Sequence, residues 1–232
     1  MCDVCGCGDT RVVSVDVHTS LLAHNDHEAA HLRRHFAEIG VVAVNVMGSP
    51  GSGKTALLEA AARALAGTRR IAALSGDLAT RLDADRLAAA GIAAEAITTG
   101  SACHLDADMI HRALHGDFGA RVAEADLLFI ENVGNLVCPA IYDLGQAQNV
   151  VVLSVTEGVD KPLKYPVMFQ KADLVVLTKI DLLPHLPGVT TRELRDNVAR
   201  VMPAPRVIEV SAVTGVGVED LVAALPPVAA RG

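Results

Sequence analysis

The segment 48–55, GSPGSGKT, constrains the fold of this chain more than any other part of the sequence. It matches the pattern GxxxxGK[ST], in which a glycine-rich loop presents backbone N–H groups to the phosphates of a nucleoside triphosphate. The β-branched run at 41–47 predicts a buried strand before the loop, and ALLEAAARAL at 56–65 predicts a helix after it. This order indicates a nucleotide-binding α/β domain. A glycine-rich turn that binds no ligand is the alternative interpretation.

The loop supplies the first candidate site residues. Lys54 is expected to reach the β- and γ-phosphate oxygens, and the Thr55 hydroxyl to bind the Mg²⁺ that bridges them. The backbone around the phosphates is expected to come from the glycines and serines of the loop, namely Gly48, Ser49, Gly51, Ser52 and Gly53.

Strand-like and helix-like segments alternate from residue 41 onward. The predicted strands are 41–47, 70–74, 94–98, 126–130, 150–155, 174–178 and 206–210, and the predicted helices lie near 56–66, 83–90, 105–115, 191–201 and 217–224. This alternation predicts an α/β fold with a mostly parallel β-sheet flanked by helices, of the P-loop NTPase type, with ligands at the carboxyl ends of the strands. Hydrophobic residues make up 51% of the chain but aromatic residues only 3%, so the core must be mainly aliphatic.

Two later segments predict that the nucleotide is GTP. TKID at 178–181 resembles the [NT]KxD motif of G proteins, with Thr178 in place of the commoner Asn. There the Asp181 carboxylate would accept hydrogen bonds from the guanine N1–H and 2-amino group, while Lys179 packs along the base. Adenine has no such donor pair, so Asp181 favours GTP over ATP. Ser211 and Ala212 resemble the short SA motif whose backbone contacts guanine.

Two carboxylates are candidates for holding Mg²⁺ and orienting the attacking water. Glu131 takes the acidic position of a Walker B-like segment at 127–134, LLFIENVG, whose Gly134 N–H is placed to sense the γ-phosphate. Asp77 ends another predicted strand and is the candidate for the first switch. Which carboxylate contacts the metal directly stays open, and Asp77 has an alternative role as the N-cap of a helix at 78–86. With Lys54, these two carboxylates form the predicted catalytic set.

The five cysteines suggest metal binding in a reducing compartment rather than disulfides. Cys2, Cys5 and Cys7 are too close together for a sensible disulfide framework. Cys103 and His104 are adjacent, and Cys138 lies seven residues after Glu131. Thiolate and imidazole ligands suit Ni²⁺ or Zn²⁺. An isolated Cys-His pair is usually coincidental, but a ligand just beyond the γ-phosphate-sensing turn would be moved by hydrolysis.

The bulk properties exclude some partners. The net charge is −7 and no run of basic residues stands out, so nucleic acid is not expected as a partner. No apolar stretch approaches the roughly 18 residues of a membrane span. The first residues, MCD, lack the basic and apolar regions of a secretory signal, so a cytoplasmic location is expected.

These motifs together closely resemble the HypB family, the GTPases that deliver nickel during hydrogenase maturation. The resemblance covers nearly the whole sequence and rests on seven segments: CDVCGCG at 2–8, NVMGSPGSGKT at 45–55, GDLAT at 76–80, TGSACHLDA at 99–107, ENVGNLVCP at 131–139, TEGVDKPLKYP at 156–166 and TKIDLLP at 178–184. The family fold is a G domain of the SIMIBI class.

The resemblance implies two nickel or zinc sites. Cys2, Cys5 and Cys7 would form a tight nickel site, and Cys103, His104 and Cys138 a second site in the G domain. Two GTP-loaded protomers would pair so that the second sites meet across a homodimer. Lys161 and Lys164 would contribute to nucleotide contacts or to that interface. The implied partners are a second maturation accessory protein and the large-subunit precursor of a [NiFe]-hydrogenase.

The chain divides on this reading into three parts. Residues 1–17 form a Cys-rich metal-binding tail, in which RVVSVDV at 11–17 predicts a short strand. Residues 18–40 form a helical lead-in, with a helix at 21–39 that packs on the G domain through Leu22, Ala29, Leu32 and Phe36. Residues 41–232 form the GTPase domain.

One departure from the family concerns histidine. Many members carry a His-rich tract between the cysteines and the G domain, and this chain has only scattered histidines. Four of these lie on the polar face of the 21–39 helix: His24, His27, His31 and His35. The i, i+4 pairs among them have a spacing that lets two imidazoles share an ion, and His111 and His115 form another such pair. A solvated helix face without metal is the alternative.

Three other functions are alternatives for a chain with these motifs. A urease-type nickel GTPase is disfavoured by the three N-terminal cysteines and by ENVGNLVCP at 131–139. A metal-storage or sensor protein would bind GTP without hydrolysing it. An adenosine-dependent partitioning ATPase is disfavoured by Asp181 and by the metal ligands.

Overall fold

A computed structural model describes residues 10–228, with the backbone alone for residues 10–20. Within this range the chain forms one sheet of seven strands that all run parallel, in the order β3-β2-β4-β1-β5-β6-β7. The strands are β1 (Val42–Gly48), β2 (Ile71–Asp77), β3 (Ala93–Thr98), β4 (Leu127–Glu131), β5 (Gln148–Ser154), β6 (Leu174–Thr178) and β7 (Val207–Val210). The predicted parallel α/β fold is confirmed, and each predicted strand from 41 onward overlaps an observed one.

Helices connect the strands. They are α1 (Thr10–Ile39), α2 (Lys54–Leu65), α3 (Leu82–Ala89), α4 (Ala107–Ala113), α5 (Asp117–Glu124), α6 (Lys161–Lys164), α7 (Pro166–Gln170), α8 (Thr191–Val201) and α9 (Val218–Ala224). Short 3₁₀ segments cover Cys138–Ala140, Val155–Glu157 and Ile180–His185. The helices α5, α6 and α7 were not predicted from the sequence.

The central strands are buried on both faces, as expected for a parallel sheet covered by helices. In β5, Val150 and Val152 pack with α2 and α9 on one face, whereas Val151 and Leu153 pack with α7 and α8 on the other. Successive side chains of a strand point to opposite faces of the sheet. The run of aliphatic residues in β5 therefore contributes to a hydrophobic core on each face. The core is aliphatic, as the composition required.

Helix α1 packs along the sheet face that also carries α4 and α5. Its side chains Ala29, Leu32 and Phe36 are buried there. The buried Asn25 amide accepts a hydrogen bond from the Ala107 backbone N–H at 2.9 Å and donates one to the Asp143 carbonyl at 2.9 Å. These contacts fix α1 against the start of α4.

The strand predicted at 11–17 is wrong, because α1 already begins at Thr10. Alternating β-branched residues favour a strand only where a sheet edge is there to pair with, whereas extending an existing helix adds one local hydrogen bond per residue. Residues 1–9, including Cys2, Cys5 and Cys7, lie outside the described residues. The division of the chain at residue 17 therefore stays a prediction.

Among the described residues, none of the helices is both long enough and apolar enough to span a bilayer.

Candidate functional site

The phosphate loop joins β1 to α2, and its glycines are required by geometry. A Cβ on Gly48 would lie 2.4 Å from the Val152 carbonyl oxygen, closer than any side chain allows. Gly51 and Gly53 have φ values of 73° and 95°, in the left-handed region that favours glycine. The loop therefore turns directly above the neighbouring strand and presents its backbone to the cleft.

Lys54 is the first residue of α2, and its side chain folds back along the loop. Its ammonium donates hydrogen bonds to the carbonyl oxygens of Gly48 at 3.2 Å and Ser49 at 3.1 Å. Burial lowers the pKa of Lys54, although the nearby Glu131 and Asp83 carboxylates oppose this shift. The Lys54 side chain is thus held at the loop, where phosphates would approach.

Thr55 and Glu131 meet at the end of β4. The Thr55 hydroxyl lies 2.8 Å from Glu131 Oε1 and 2.9 Å from Asp83 Oδ1. Glu131 is 3% exposed, and this burial raises its pKa to about 7. Its second oxygen, Oε2, is buried without a hydrogen-bond partner among the described residues. A hydroxyl, two carboxylates and one unpartnered buried carboxylate oxygen are the oxygen ligands that suit Mg²⁺.

Asp77 ends β2 and lines the same cleft. Its carboxylate accepts hydrogen bonds from the Thr80 hydroxyl and from the Ala79 N–H, and the Thr80 bond lowers its pKa. The alternative role as a helix N-cap is wrong, because α3 begins at Leu82 with Arg81 at the cap position. Asp77 instead closes a turn between β2 and α3.

These residues surround one cleft of about 460 Å³. Its lining comes from the phosphate loop, from the segments that start at Asp77 and Glu131, from α3 and from the guanine motif. The residues include Pro50, Gly51, Gly53, Lys54, Thr55, Asp77, Asp83, Arg86, Glu131, Gly134 and Lys179. The cleft opens at the carboxyl ends of the parallel strands, where ligands bind in this class of fold.

The guanine-motif residues follow two adjacent strands, β6 and β7, which pair at Thr178 and Val210. The Thr178 hydroxyl donates to the Ser52 carbonyl at 2.6 Å, and Lys179 Nζ to the Gly51 carbonyl at 2.6 Å. Lys179 has a φ of 59°, a left-handed conformation that is uncommon outside glycine. The segment is therefore attached to the phosphate loop.

The remaining guanine-motif residues lie beside that attachment. Asp181 is in the 3₁₀ segment just after Lys179 and is partly exposed. Ser211 is fully buried, its hydroxyl accepts from the Thr214 N–H at 3.1 Å, and Ala212 follows it. The Asp181 carboxylate after β6 and the backbone turn at Ser211 after β7 therefore follow two neighbouring strands.

Lys161 and Lys164 lie on α6, after β5. Lys161 packs over the Tyr165 ring at 5.3 Å, and Lys164 pairs with Asp160 at 2.5 Å. Neither residue is among those lining the cleft. Their predicted contact with nucleotide or with a second protomer stays a prediction.

A second candidate site is formed by Cys103, His104 and Cys138. One ligand atom from each lies within 4.8 Å of the others, and the two sulfurs are 2.9 Å apart. The hydrogen bond with Cys103 raises the pKa of the Cys138 thiol, and partial burial lowers the pKa of His104. The His104 ring stacks on Tyr142 with centroids 3.8 Å apart. An imidazole beside two convergent sulfurs suits a borderline-soft ion such as Ni²⁺ or Zn²⁺.

The segment 131–138 joins the two sites. It starts at Glu131 in the cleft and ends at Cys138 in the cysteine cluster. Between them, a Cβ on Gly134 would lie 2.9 Å from the Pro50 nitrogen, so this turn rests on the phosphate loop. Asn135 forms a β-bridge with Gly48, and its side-chain amide donates to the Cys103 carbonyl at 3.3 Å. One short segment thus contacts the phosphate loop and both halves of the metal cluster.

Sequence reasoning missed several residues of this region. Asp83 reaches Thr55 from α3, and Glu157 accepts a hydrogen bond from the Ser49 hydroxyl. Asn132 links the Leu105 N–H, at 3.1 Å, to the Asn45 side chain, at 3.2 Å. Asn45 within the apolar strand β1 and Asn132 directly after the apolar strand β4 were the one available signal, since buried amides need partners.

The histidines of α1 lie where the helix pattern put them. His24, His27 and His31 are exposed and His35 is partly exposed. The structure adds a contact that the pattern did not predict, because the His31 ring lies against His111 of α4 with centroids 5.3 Å apart.

Known proteins match both sequence and fold. The family model described as CobW/HypB/UreG, nucleotide-binding domain, matches residues 42–209. The hydrogenase maturation factor HypB of Rhizobium leguminosarum bv. viciae is 49% identical over 226 residues, which is 97% of this chain and 74% of that protein.

Two solved structures are similar throughout. HypB from Helicobacter pylori in complex with nickel has a TM-score of 0.81 and 40% identity, covering 86% of this chain and 92% of that one. HypB from Archaeoglobus fulgidus has a TM-score of 0.78 and 41% identity, covering 87% and 97%.

Proposed function

The chain belongs to the CobW/HypB/UreG family, within it to the HypB hydrogenase maturation factors, and on that premise we propose that it is a GTP-hydrolysing nickel metallochaperone. It binds nickel and delivers the ion to the large-subunit precursor of a [NiFe]-hydrogenase. Nickel is its cargo, and GTP is its substrate. The solved relative in complex with nickel supports the choice of cargo.

The reaction proposed for the cleft is phosphoryl transfer from GTP to water. Lys54 neutralises charge on the β- and γ-phosphates, and the loop N–H groups orient them. Thr55 and Glu131 would hold Mg²⁺, with Asp83 or Asp77 close by, and the bound ion would supply positive charge that offsets the charge of the phosphates. Asp77 orients the attacking water, and the N–H of Gly134 senses the γ-phosphate. Asp181 selects guanine, and Ser211 and Ala212 line the base.

The observation that carries the proposal is the double contact of the segment 131–138. Gly134 rests against Pro50 of the phosphate loop, while Asn135 contacts both Gly48 and the Cys103 carbonyl. A shift of this segment on hydrolysis would therefore move Cys138 relative to Cys103 and His104. Segments that are ordered by the γ-phosphate and released on hydrolysis are a known way to switch a GTPase. GTP in this scheme closes the metal site, and hydrolysis loosens it for release.

A homodimer completes the metal site in this proposal. Three ligands from one chain leave part of a four-coordinate sphere open. Val137 and Ile141, beside the cluster, are 48% and 39% exposed, so apolar surface surrounds the ligands. A twofold axis through this surface would bring two Cys-His-Cys sets together. In the same proposal, Zn²⁺ can bind these ligands in place of Ni²⁺. A second maturation accessory protein assists delivery of the ion, and the protein acts in the cytoplasm.

The N-terminal cysteines form the other metal site in this proposal. Cys2, Cys5 and Cys7 lie outside the described residues, so their assignment as a nickel site rests on the sequence. They would capture nickel before it passes to the G domain.

Nucleotide choice and turnover test the enzymatic half of the proposal. The wild-type chain should hydrolyse GTP with Mg²⁺ and discriminate against ATP. Asp181→Asn should weaken GTP binding by at least roughly tenfold and improve binding of xanthosine triphosphate, because the amide can donate to the 2-carbonyl of xanthine. The matched control is Asp196→Asn, on α8 away from the cleft. Binding of GTP without hydrolysis, even with nickel and partner present, would instead indicate a storage or sensor protein.

A further inference from the structure

Histidines of α1, of α4 and of the bend after α4 come together where the two helices pack against each other. The His111 ring centroid lies 5.3 Å from that of His31 and 4.8 Å from that of His115. His111 Nδ1 also faces Glu28 Oε2 at 3.6 Å. One turn of α1, the last turn of α4 and the bend that follows α4 thus supply three imidazoles and a carboxylate to one patch of surface, called the helix-crossing cluster below.

The separations between the rings suit a shared ion. Two imidazole nitrogens about 2.0–2.1 Å from one metal place their ring centroids roughly 4.5–5.2 Å apart, for ligand angles between about 90° and 109°. The observed separations of 4.8 Å and 5.3 Å lie at or close to this range. His111 is the middle ring of the three and is needed for both pairs.

The carboxylate has a defined part in this arrangement. Metal-binding histidines commonly direct their second ring nitrogen to a carboxylate, which fixes the ring orientation and raises ligand basicity. Glu28 faces Nδ1 of His111 and so leaves Nε2 for a metal. Glu28 is a positioning residue here, and His31, His111 and His115 are the ligands.

The two helices beneath the cluster are joined by a buried hydrogen bond and a shared core. The Asn25 side chain bonds to the N–H of Ala107, the first residue of α4, at 2.9 Å. Leu32 of α1 and Ile110 of α4 are fully buried in the same core. The two helices therefore hold the Cα positions of His31 and His111 in place, and His115 follows α4 by two residues. The side chains of His31 and His115 are exposed and can rotate. Some rotation is required, because in the described residues the Cys103 set alone brings three ligand atoms within 4.8 Å of one another.

We propose that the helix-crossing cluster is an additional binding site for a divalent transition metal, Ni²⁺ or Zn²⁺, with His31, His111 and His115 as ligands. Imidazole ligands suit these ions, and the cluster contains no thiolate. It is distinct from the cysteine sites, although α4 begins three residues after His104. The site does not depend on the proposed GTPase function, since none of its ligands lines the nucleotide cleft.

The test is metal stoichiometry in a full-length chain whose five cysteines are replaced by serine, with the fold checked by circular dichroism. Titration with Ni²⁺ or Zn²⁺ alone should give one bound equivalent. Adding His111→Ala should abolish it, and adding His24→Ala, on the same exposed helix face, should leave it unchanged. Absence of binding, or equal loss with both variants, would overturn the proposal.

Chemical protection in the wild-type chain gives a second measurement that needs no cysteine substitutions. Diethyl pyrocarbonate modifies accessible histidines, and mass spectrometry locates the modified residues. With the cysteine sites saturated, one further equivalent of Zn²⁺ should protect His31, His111 and His115 but not His24. Equal modification of all four with and without that equivalent would contradict the site, whatever the state of the nucleotide.

Discussion

The nucleotide cleft and the cysteine cluster are built in opposite ways. The cleft is formed mainly by backbone and buried groups at strand ends, and Lys54 and Glu131 within it are 7% and 3% exposed. The cysteine cluster is formed by half-buried side chains from two separate segments, the loop at Cys103 and His104 and the 3₁₀ turn that starts at Cys138. The cleft is therefore preorganised by the fold, whereas the geometry of the cysteine cluster depends on the position of one segment, 131–138.

The largest effect is expected from Lys54→Ala, which tests whether GTP hydrolysis in the cleft can be lost while the cysteine cluster still binds nickel. Removing the charge at the phosphates should lower GTP hydrolysis by roughly 10²–10³-fold. Nickel affinity with GDP present should stay within about twofold, because the cysteine ligands are untouched. Lys171→Ala, at an exposed position after α7, is the control for both assays. Loss of nickel binding with GDP would show that the two regions are not separable.

The converse test is Cys138→Ser. It removes one of the three ligands, and even the loss of an outer-shell partner lowers metal affinity by about 10–100-fold, so nickel affinity should fall by at least that much. GTP hydrolysis without nickel should change less than about threefold. Isothermal titration and a phosphate-release assay measure the two quantities. Unchanged nickel affinity would mean that the ion binds elsewhere in the chain.

The pH dependence of stability tests the burial of Glu131, which distinguishes the cleft from the half-buried cysteine cluster. Because its pKa is about 7 in the folded protein and 4.5 in the reference state, the folded protein binds the extra proton between these values. Stability should therefore fall as the pH rises from about 4.5 to about 7, by at most about 3 kcal/mol. Glu131→Gln removes this loss.

The measurement is urea unfolding without nucleotide or Mg²⁺. The Gln variant should be the more stable protein at pH 8, and the two should converge near pH 4.5. Mg²⁺ should then stabilise the wild type more than the variant at pH 8. A wild type as stable as the variant at pH 8 would contradict the burial of a charged carboxylate.

The smallest effect is expected from Asn135→Ala, which acts on the connection itself. Its amide contacts the Cys103 carbonyl and the Val137 N–H. Removing it should leave hydrolysis and nickel binding nearly intact but reduce the coupling between them by roughly 2–30-fold, the range of about 0.5–2 kcal/mol. Gln146→Ala removes a comparable bond to the Leu144 N–H in a loop away from the cleft and should leave the coupling unchanged.

The same contrast explains what could be predicted from the sequence. The phosphate loop and the strands at 41–47 and 174–178 were predictable, because glycine spacing and β-branched runs act locally. Asp83, Asn135 and the ring contact between His31 and His111 were not, because each pairs residues that are far apart in the chain. The strand predicted at 11–17 is wrong for a related reason, because alternating β-branched residues form a strand only where a distant sheet edge is available for pairing.

The central claim is that nucleotide state sets metal affinity through the segment 131–138. Its most direct test is the nickel affinity of the G-domain site, in a full-length chain with Cys2, Cys5 and Cys7 replaced by serine, measured with GDP and with a non-hydrolysable GTP analogue. Nickel should bind more tightly with the analogue by at least about fivefold, and nickel should change the affinity for the analogue by the same factor. Identical nickel affinities in the two nucleotide states would contradict it.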